Sequence, residues 1–218
     1  MADPVAPGQL AAATALLRDF WRASTWSEKA AYVRQPARVR PLMQEYYEGQ
    51  RNKDPATGPL IRTSHFRHHD EEVLMFVYGG PQAGSETEVA MVAGAGGVFL
   101  LDWESYVGWG EMPFQAFKKQ RSATPRLMRV TVQRDEGYRG NVADAAKYVG
   151  MQLLSPDGLY YFHGYCDKDS ELGKVMATLL SQAAPSLHLT LKVAYPGQSQ
   201  PDDAVQVIAL VADQWLVL

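Results

Sequence analysis

The chain has 218 residues, 46% hydrophobic and 21% charged, which fits one large domain or two very small ones of a soluble mixture, able to bury a core without metal or disulfide staples. A net charge of −3 lacks the excess of clustered cations that displaces counterions from phosphates, so no nucleic-acid partner is expected. The lone cysteine, Cys166, cannot form an internal bridge, and no apolar run approaches the ~20 residues that span a bilayer, so no membrane insertion by this segment is expected.

Residues 1–7 read as a flexible leader or as the cut edge of a longer, anchored protein. The compartment therefore stays open between the cytoplasm and the extracytoplasmic part of such a protein. From Gly8 to Ala23, Leu10, Ala13, Leu17, Phe20 and Trp21 recur at helical spacing. Thr25 and Glu28 have capping-box spacing and open a short helix through Ala30, Ala31 and Val33. Pro36 begins a third helix with Val39, Leu42, Met43, Tyr46 and Tyr47 on one face. Pro41 predicts a kink or a fresh start, and Gly49 a stop. Arg34, Arg38, Arg40, Arg51, Lys53, Arg62 and Arg67 crowd this region, interrupted by Glu45, Glu48 and Asp54, and read as a solvated face.

After a loop over 50–59, the period changes to that of strands. Leu60–His69, Val73–Tyr78, Glu88–Ala93 and Val98–Trp103 are separated by short turns and predict an antiparallel meander. Met112–Gln120 is a short helix, followed by strands Leu127–Arg134, Tyr148–Leu154 and Leu159–Cys166. Ser155-Pro-Asp-Gly158 supplies the hairpin turn between the last two. A helix capped by Asp169 or Ser170 runs to about Gln182, and Leu187–Tyr195, Ala204–Val211 and a terminal strand at Trp215–Leu218 close the chain. The organisation expected is a single α+β domain over 8–218, with an insertion at about 111–169.

Four motifs invite a chemical reading. His65-Phe-Arg-His68-His69-Asp70 is histidine-rich, but Arg67 sets a cation beside any bound metal and no carboxylate set accompanies it, so no metal is expected. Gly94-Ala-Gly-Gly97 lacks the Lys-Ser/Thr and helix of a phosphate cradle and reads as a hairpin turn. Cys166 lies beside Asp167 and Asp169, whose charge disfavours a thiolate, although His163 is near in sequence. Around residues 102–111, Trp103, Tyr106 and Trp109 stand among Asp102, Glu104 and Glu111, an aromatic wall plus acids of the kind that lines a pocket or packs at a core edge. Asp102, Trp103, Glu104, Tyr106, Trp109 and His65 are the candidate ligand-binding residues; no catalytic residue and no cofactor is assigned.

Phe20-Trp-x-Ala-x-Thr-Trp-Ser-Glu-Lys, Val33-Arg-x-Pro-x-Arg-Val-Arg-Pro-Leu-Met, Leu101-Asp-Trp-Glu-Ser-Tyr-Val-Gly and the ending Val207–Leu218 carry a family resemblance. The chain resembles the NTF2-like (cystatin-like α+β) architecture in a group of uncharacterised bacterial proteins. That resemblance implies N-terminal helices on a curved, mostly antiparallel sheet. It further implies either a non-enzymatic protein-interaction domain, a homodimer packed through its sheet or a scaffold for another protein, or a cone cavity. In the alternative, that cavity binds a small molecule or runs acid–base chemistry of the isomerase or dehydratase kind.

Overall fold

The computed structural model describes residues 6–49, 53–55, 57–68, 70–80, 86–137, 144–182, 186–197 and 203–218. Where one domain over 8–218 is expected, the chain divides into two compact units, Met1–Val107 with Leu218 and Gly108–Val217. Helices and mostly antiparallel strands give an α+β chain, but the strands form two sheets and not one.

The first unit opens with α1 (Pro7–Arg22), so Pro7 of the expected leader is already helical, while residues 1–5 lie outside the described residues. Proline suits this first helical position because its missing N–H has no intrahelical partner there. Ala13, Leu17 and Phe20 bury one stripe of the helix. In α2 (Trp26–Lys29) the Thr25 hydroxyl accepts from the Glu28 N–H, and the Glu28 carboxylate accepts from the Thr25 N–H. The Thr25 N–H, with the Ser24 hydroxyl and N–H, donates to that carboxylate and holds it below its usual range. Helix α3 (Pro36–Glu48) runs through Pro41 without a fresh start and buries Val39 and Met43.

Strands β1 (Leu60–His68), β2 (Glu71–Gly79), β3 (Glu86–Ala93) and β4 (Phe99–Leu101) follow as the expected meander, in the order β1-β2-β3-β4. The Gly94–Gly97 turn joins β3 to β4, with φ of 78° at Gly96 and 75° at Gly97, where glycine alone is unstrained. Strand β4 is shorter than predicted, because Asp102 ends it and Trp103 begins helix α4 (Trp103–Val107).

The second unit has helix α5 (Phe114–Gln120), strands β5 (Arg126–Arg134), β6 (Tyr148–Leu154) and β7 (Tyr161–Asp167), helix α6 (Glu171–Gln182), and strands β8 (Leu187–Ala194) and β9 (Ala204–Ala212). The five strands close into a barrel in the order β5-β6-β7-β9-β8, with β8 returning to β5. Pairing is antiparallel except between β7 and β9. The stretch expected as an insertion therefore supplies α5 and three barrel strands. Alternation along each strand sends Met128, Val130, Met151, Leu153, Phe162 and Leu191 into one apolar core. Gly164 lies on this inner side, where an added Cβ would come within 2.8 Å of the Leu153 side chain.

The end of the chain is not a strand. Trp215 is anchored by its side chain, stacking on His188 at 4.3 Å and donating from Nε1 to the Val130 carbonyl at 3.0 Å. Buried Arg129 donates to the carbonyls of Trp109 and Trp215.

Candidate functional site

The aromatic and acidic run around residue 102 is built from the β4–α4 junction. Asp102 is an N-cap: its Oδ1 accepts the Ser105 N–H at 2.9 Å, and the Ser105 hydroxyl donates to the Asp102 carbonyl at 3.0 Å. The Asp-x-x-Ser spacing was the sequence signal for this helix start. Asp102 is 5% exposed, and its other carboxylate oxygen meets Arg34 Nη1 at 3.2 Å. The same guanidinium holds Glu71 through Nη2 at 3.1 Å. Glu104 pairs with Arg38, whose own pKa rises because that hydrogen bond favours its charged form. Asp102 and Glu104, the two acids among the candidate ligand-binding residues, are therefore ion-paired within the fold.

The aromatic residues are equally engaged. Trp103 is 1% exposed and donates from Nε1 to the Tyr47 hydroxyl at 3.3 Å. Tyr47 donates to Asp54, and Lys29 Nζ reaches the second oxygen of Asp54 at 2.6 Å and the Phe20 carbonyl at 3.0 Å. Tyr106, 2% exposed, donates to the Pro55 carbonyl at 3.3 Å and accepts from Trp21 Nε1 at 3.0 Å. Burial, reinforced by the Asp54 charge, pushes the phenols of Tyr47 and Tyr106 well above their ordinary range and keeps them neutral.

This network ties α1, α2, α3, α4 and the loop at 53–55 together around a filled interior. Lys29, Tyr47 and Asp54 were not expected at the site. No local pattern marks them, because loop closure alone brings residues 29 and 54 together. Both oxygens of the Asp54 carboxylate are engaged, one by the Lys29 ammonium and the other by the Tyr47 phenol. The geometry is that of a structural polar core.

His65 stands elsewhere in the unit, on β1. Its Nε2 lies 4.0 Å from Glu72, and its ring meets Phe99 edge-on at 6.4 Å. Trp109 belongs to the second unit, where it is 5% exposed. His69 and Arg51 lie outside the described residues. No group of three or more metal-ligating side chains occurs among the described residues.

In the second unit, Cys166 faces the barrel core, and burial together with Asp167 raises its thiol to about 11, far from an activated thiolate. His163 lies on the outer side of β7, away from that thiol. Its Nδ1 bonds Asp135 and its Nε2 lies 3.8 Å from Asp203, so the two carboxylates hold opposite ring nitrogens and do not converge on one point. A cavity of about 390 Å³ lies beside Asp135, lined also by Arg134, Glu136, Val149, Lys168 and Leu180. Its charged groups have partners of their own: Arg134 and Glu136 form an exposed pair at 3.4 Å, Lys168 donates to the Ala145 carbonyl, and Asp135 takes the Gly137 N–H at 2.8 Å besides His163.

The first sheet has two unlike edges. The β4 edge is covered: Val33 forms a parallel bridge to Leu101, the Arg34 N–H donates to the Leu101 carbonyl at 3.0 Å, and the Leu101 N–H donates to the Tyr32 carbonyl at 3.0 Å. The β1 edge is nine residues long and, among the described residues, pairs with β2 alone. Leu60 and Ile61 on it are 50% and 56% exposed. A long edge of this kind presents a row of backbone donors and acceptors to any incoming strand.

Among the described residues, no helix is long and apolar enough to cross a membrane. Comparison with known proteins finds no matching family model, no matching curated protein and no matching solved structure.

Proposed function

We propose that this chain is a non-enzymatic protein-interaction domain whose partner adds a strand to β1. The asymmetry of the first sheet carries this reading: one edge is sealed by the chain at residues 32–34, and the other is long and exposed. Strand addition draws its affinity from main-chain hydrogen bonds and its selectivity from alternate side chains. The filled aromatic cluster supports the non-enzymatic half of the proposal, since Asp102 and Glu104 are occupied by Arg34 and Arg38. Helices α1 to α3 with a four-stranded antiparallel sheet are compatible with an NTF2-like layout for the first unit. In that setting the partner is a second copy or another protein.

Proline substitution tests the edge. Successive residues of an edge strand point their N–H groups alternately to the neighbouring strand and outward. Of Thr63→Pro and Ser64→Pro, one therefore breaks the β1–β2 ladder and the other removes an outward donor while leaving the fold intact. The folded variant is compared with the unmodified protein by panning a library of extended peptides and by light scattering across concentration. Enriched peptides, or a dimer, that the folded variant loses support the reading. Peptides that bind both proteins equally, or neither peptides nor a dimer, overturn it.

A second reading rests on the cavity beside Asp135, whose volume of about 390 Å³ suits a small ligand. It requires a ligand that displaces at least one internal pair at the rim. Protection of the Ala177 and Leu180 amides from hydrogen exchange by a compound from a small-molecule screen, lost in Val149→Trp, supports it.

A further inference from the structure

We infer that the strand added to β1 is an acidic, extended segment of another protein and not a second copy of this chain; the inference rests on the strand-addition reading above. Strand β1, Leu-Ile-Arg-Thr-Ser-His-Phe-Arg-His, carries Arg62, His65, Arg67 and His68 and no carboxylate. Its acidic counterparts lie on the neighbouring strands, inboard of the edge. Arg62 Nη1 meets Glu86 at 3.0 Å and Arg67 Nη2 meets Glu72 at 3.3 Å.

These pairs leave both guanidinium groups accessible. The Arg62 and Arg67 side chains are 54% and 64% exposed, against 38% and 37% for their glutamate partners. Each of these bonds uses one terminal nitrogen of a group that carries five N–H donors in a planar fork. A second carboxylate arriving from the open side is therefore within the chemistry of each arginine. Charge-assisted bonds of this geometry are about twice as strong as neutral ones.

The register narrows the partner further. Arg62 lies opposite Val77 and Arg67 opposite Glu72, so the two arginines occupy opposite faces of the sheet. A complementary antiparallel strand carries two acidic residues five positions apart, one on each face. A second copy of β1 offers nothing of the kind. Paired antiparallel with itself over its full length, it sets Arg62 against Phe66, Arg67 against Ile61, His65 against Thr63 and His68 against Leu60, with no carboxylate opposite any cation. Shifted by one residue it sets Arg62 against Arg67, and like charges directly opposite are destabilising. The sequence that blunts self-association at this edge is the one that selects an acidic strand.

The experiment uses the whole chain and synthetic peptides of about nine residues, the length of β1. They are rich in threonine and valine, with two glutamates five positions apart or two lysines in their place. Fluorescence anisotropy is read at low and high salt, with light scattering in parallel. The expected result is a Kd at least about tenfold lower for the glutamate peptide, weakening with salt. In Arg62→Glu/Arg67→Glu the preference passes to the lysine peptide; in Arg62→Gln/Arg67→Gln it disappears while the fold remains. Equal binding of both peptides, lost in the edge-blocking proline variant, overturns the acidic specificity and leaves strand addition standing. A β1-dependent dimer likewise overturns this inference alone. No peptide binding and a monomer at every concentration overturn both.

Discussion

The two sheets of this chain solve the same problem in opposite ways. The barrel of the second unit has no edge, because β8 returns to β5 and every strand has two neighbours. The first sheet stays open, sealing β4 with three residues of preceding chain and leaving β1 bare among the described residues. Their interiors differ as well. The barrel core is almost wholly aliphatic and aromatic, whereas the first unit runs a polar network through its core from Lys29 and Asp54 to Tyr47 and Trp103. Closure pairs every barrel strand on both sides, and the barrel's buried polar side chains, Arg129 and Thr190, bond backbone carbonyls. In the first unit, directional bonds join the helices to one another and to the loop at 53–55.

The comparison breaks most visibly at the two cores. Trp103→Ala removes a fully buried ring and the donor to Tyr47, and Phe162→Ala hollows the barrel; each is expected to cost about 3–5 kcal/mol. Denaturant melts measure the loss. Hydrogen exchange should place the first loss in β2 and β3 and the second in β5 to β9. Acceleration in the same strands by both variants would show that the two interiors are not separate in this sense.

A smaller effect sharpens the contrast between wired and dry cores. Asp102→Ala takes from Arg34 its buried partner, leaving the pair with Glu71, and uncaps α4, for an expected loss of about 3 kcal/mol. Adding Arg34→Met should recover part of it, because the half-buried cation is then gone. If the double variant is no more stable than Asp102→Ala, the ion pair is not what Asp102 contributes.

Alkali separates the phenols. Tyr165 is pushed up to about 12, chiefly by burial and then by Tyr148, while Tyr47 and Tyr106 are shifted further in the same direction. The folded state holds these protons more tightly than the unfolded chain. The stability they contribute is therefore complete below pH ~10 and falls as the pH climbs from there through about 12 for Tyr165. Phenolate absorbance should show these tyrosines ionising late or only with unfolding. Cys166, raised to about 11, should react with a thiol reagent at pH 8 far more slowly than a free thiol. The smallest effect is expected of Thr25→Ala, about 1 kcal/mol in a melt, through loss of the α2 cap.

Local chemistry determined much of this chain. The capping box at Thr25 and Glu28, the Gly94–Gly97 turn, the hairpin turn at Ser155–Gly158 and the alternation of the strands each act within a few residues, so they were legible before any tertiary contact. The same locality misled at Asp102, where an apolar run reads as a strand through Trp103 although the Asp-x-x-Ser cap starts a helix. Residues 102–111 looked like a pocket because composition reports which side chains are near in sequence and not which atoms they meet. Arg34, Arg38 and Tyr47 reach that cluster from 56 or more positions away, and Asp54 joins it through Tyr47. The division into two units was equally out of reach, since a β5–β8 pairing that closes a barrel and a β1–β2 pairing that leaves an edge use strands of the same local pattern. Periodicity fixes what each segment becomes; pairing between distant segments, decided by the burial and hydrogen bonds available to the whole chain, fixes which sheet is closed and which edge stays open.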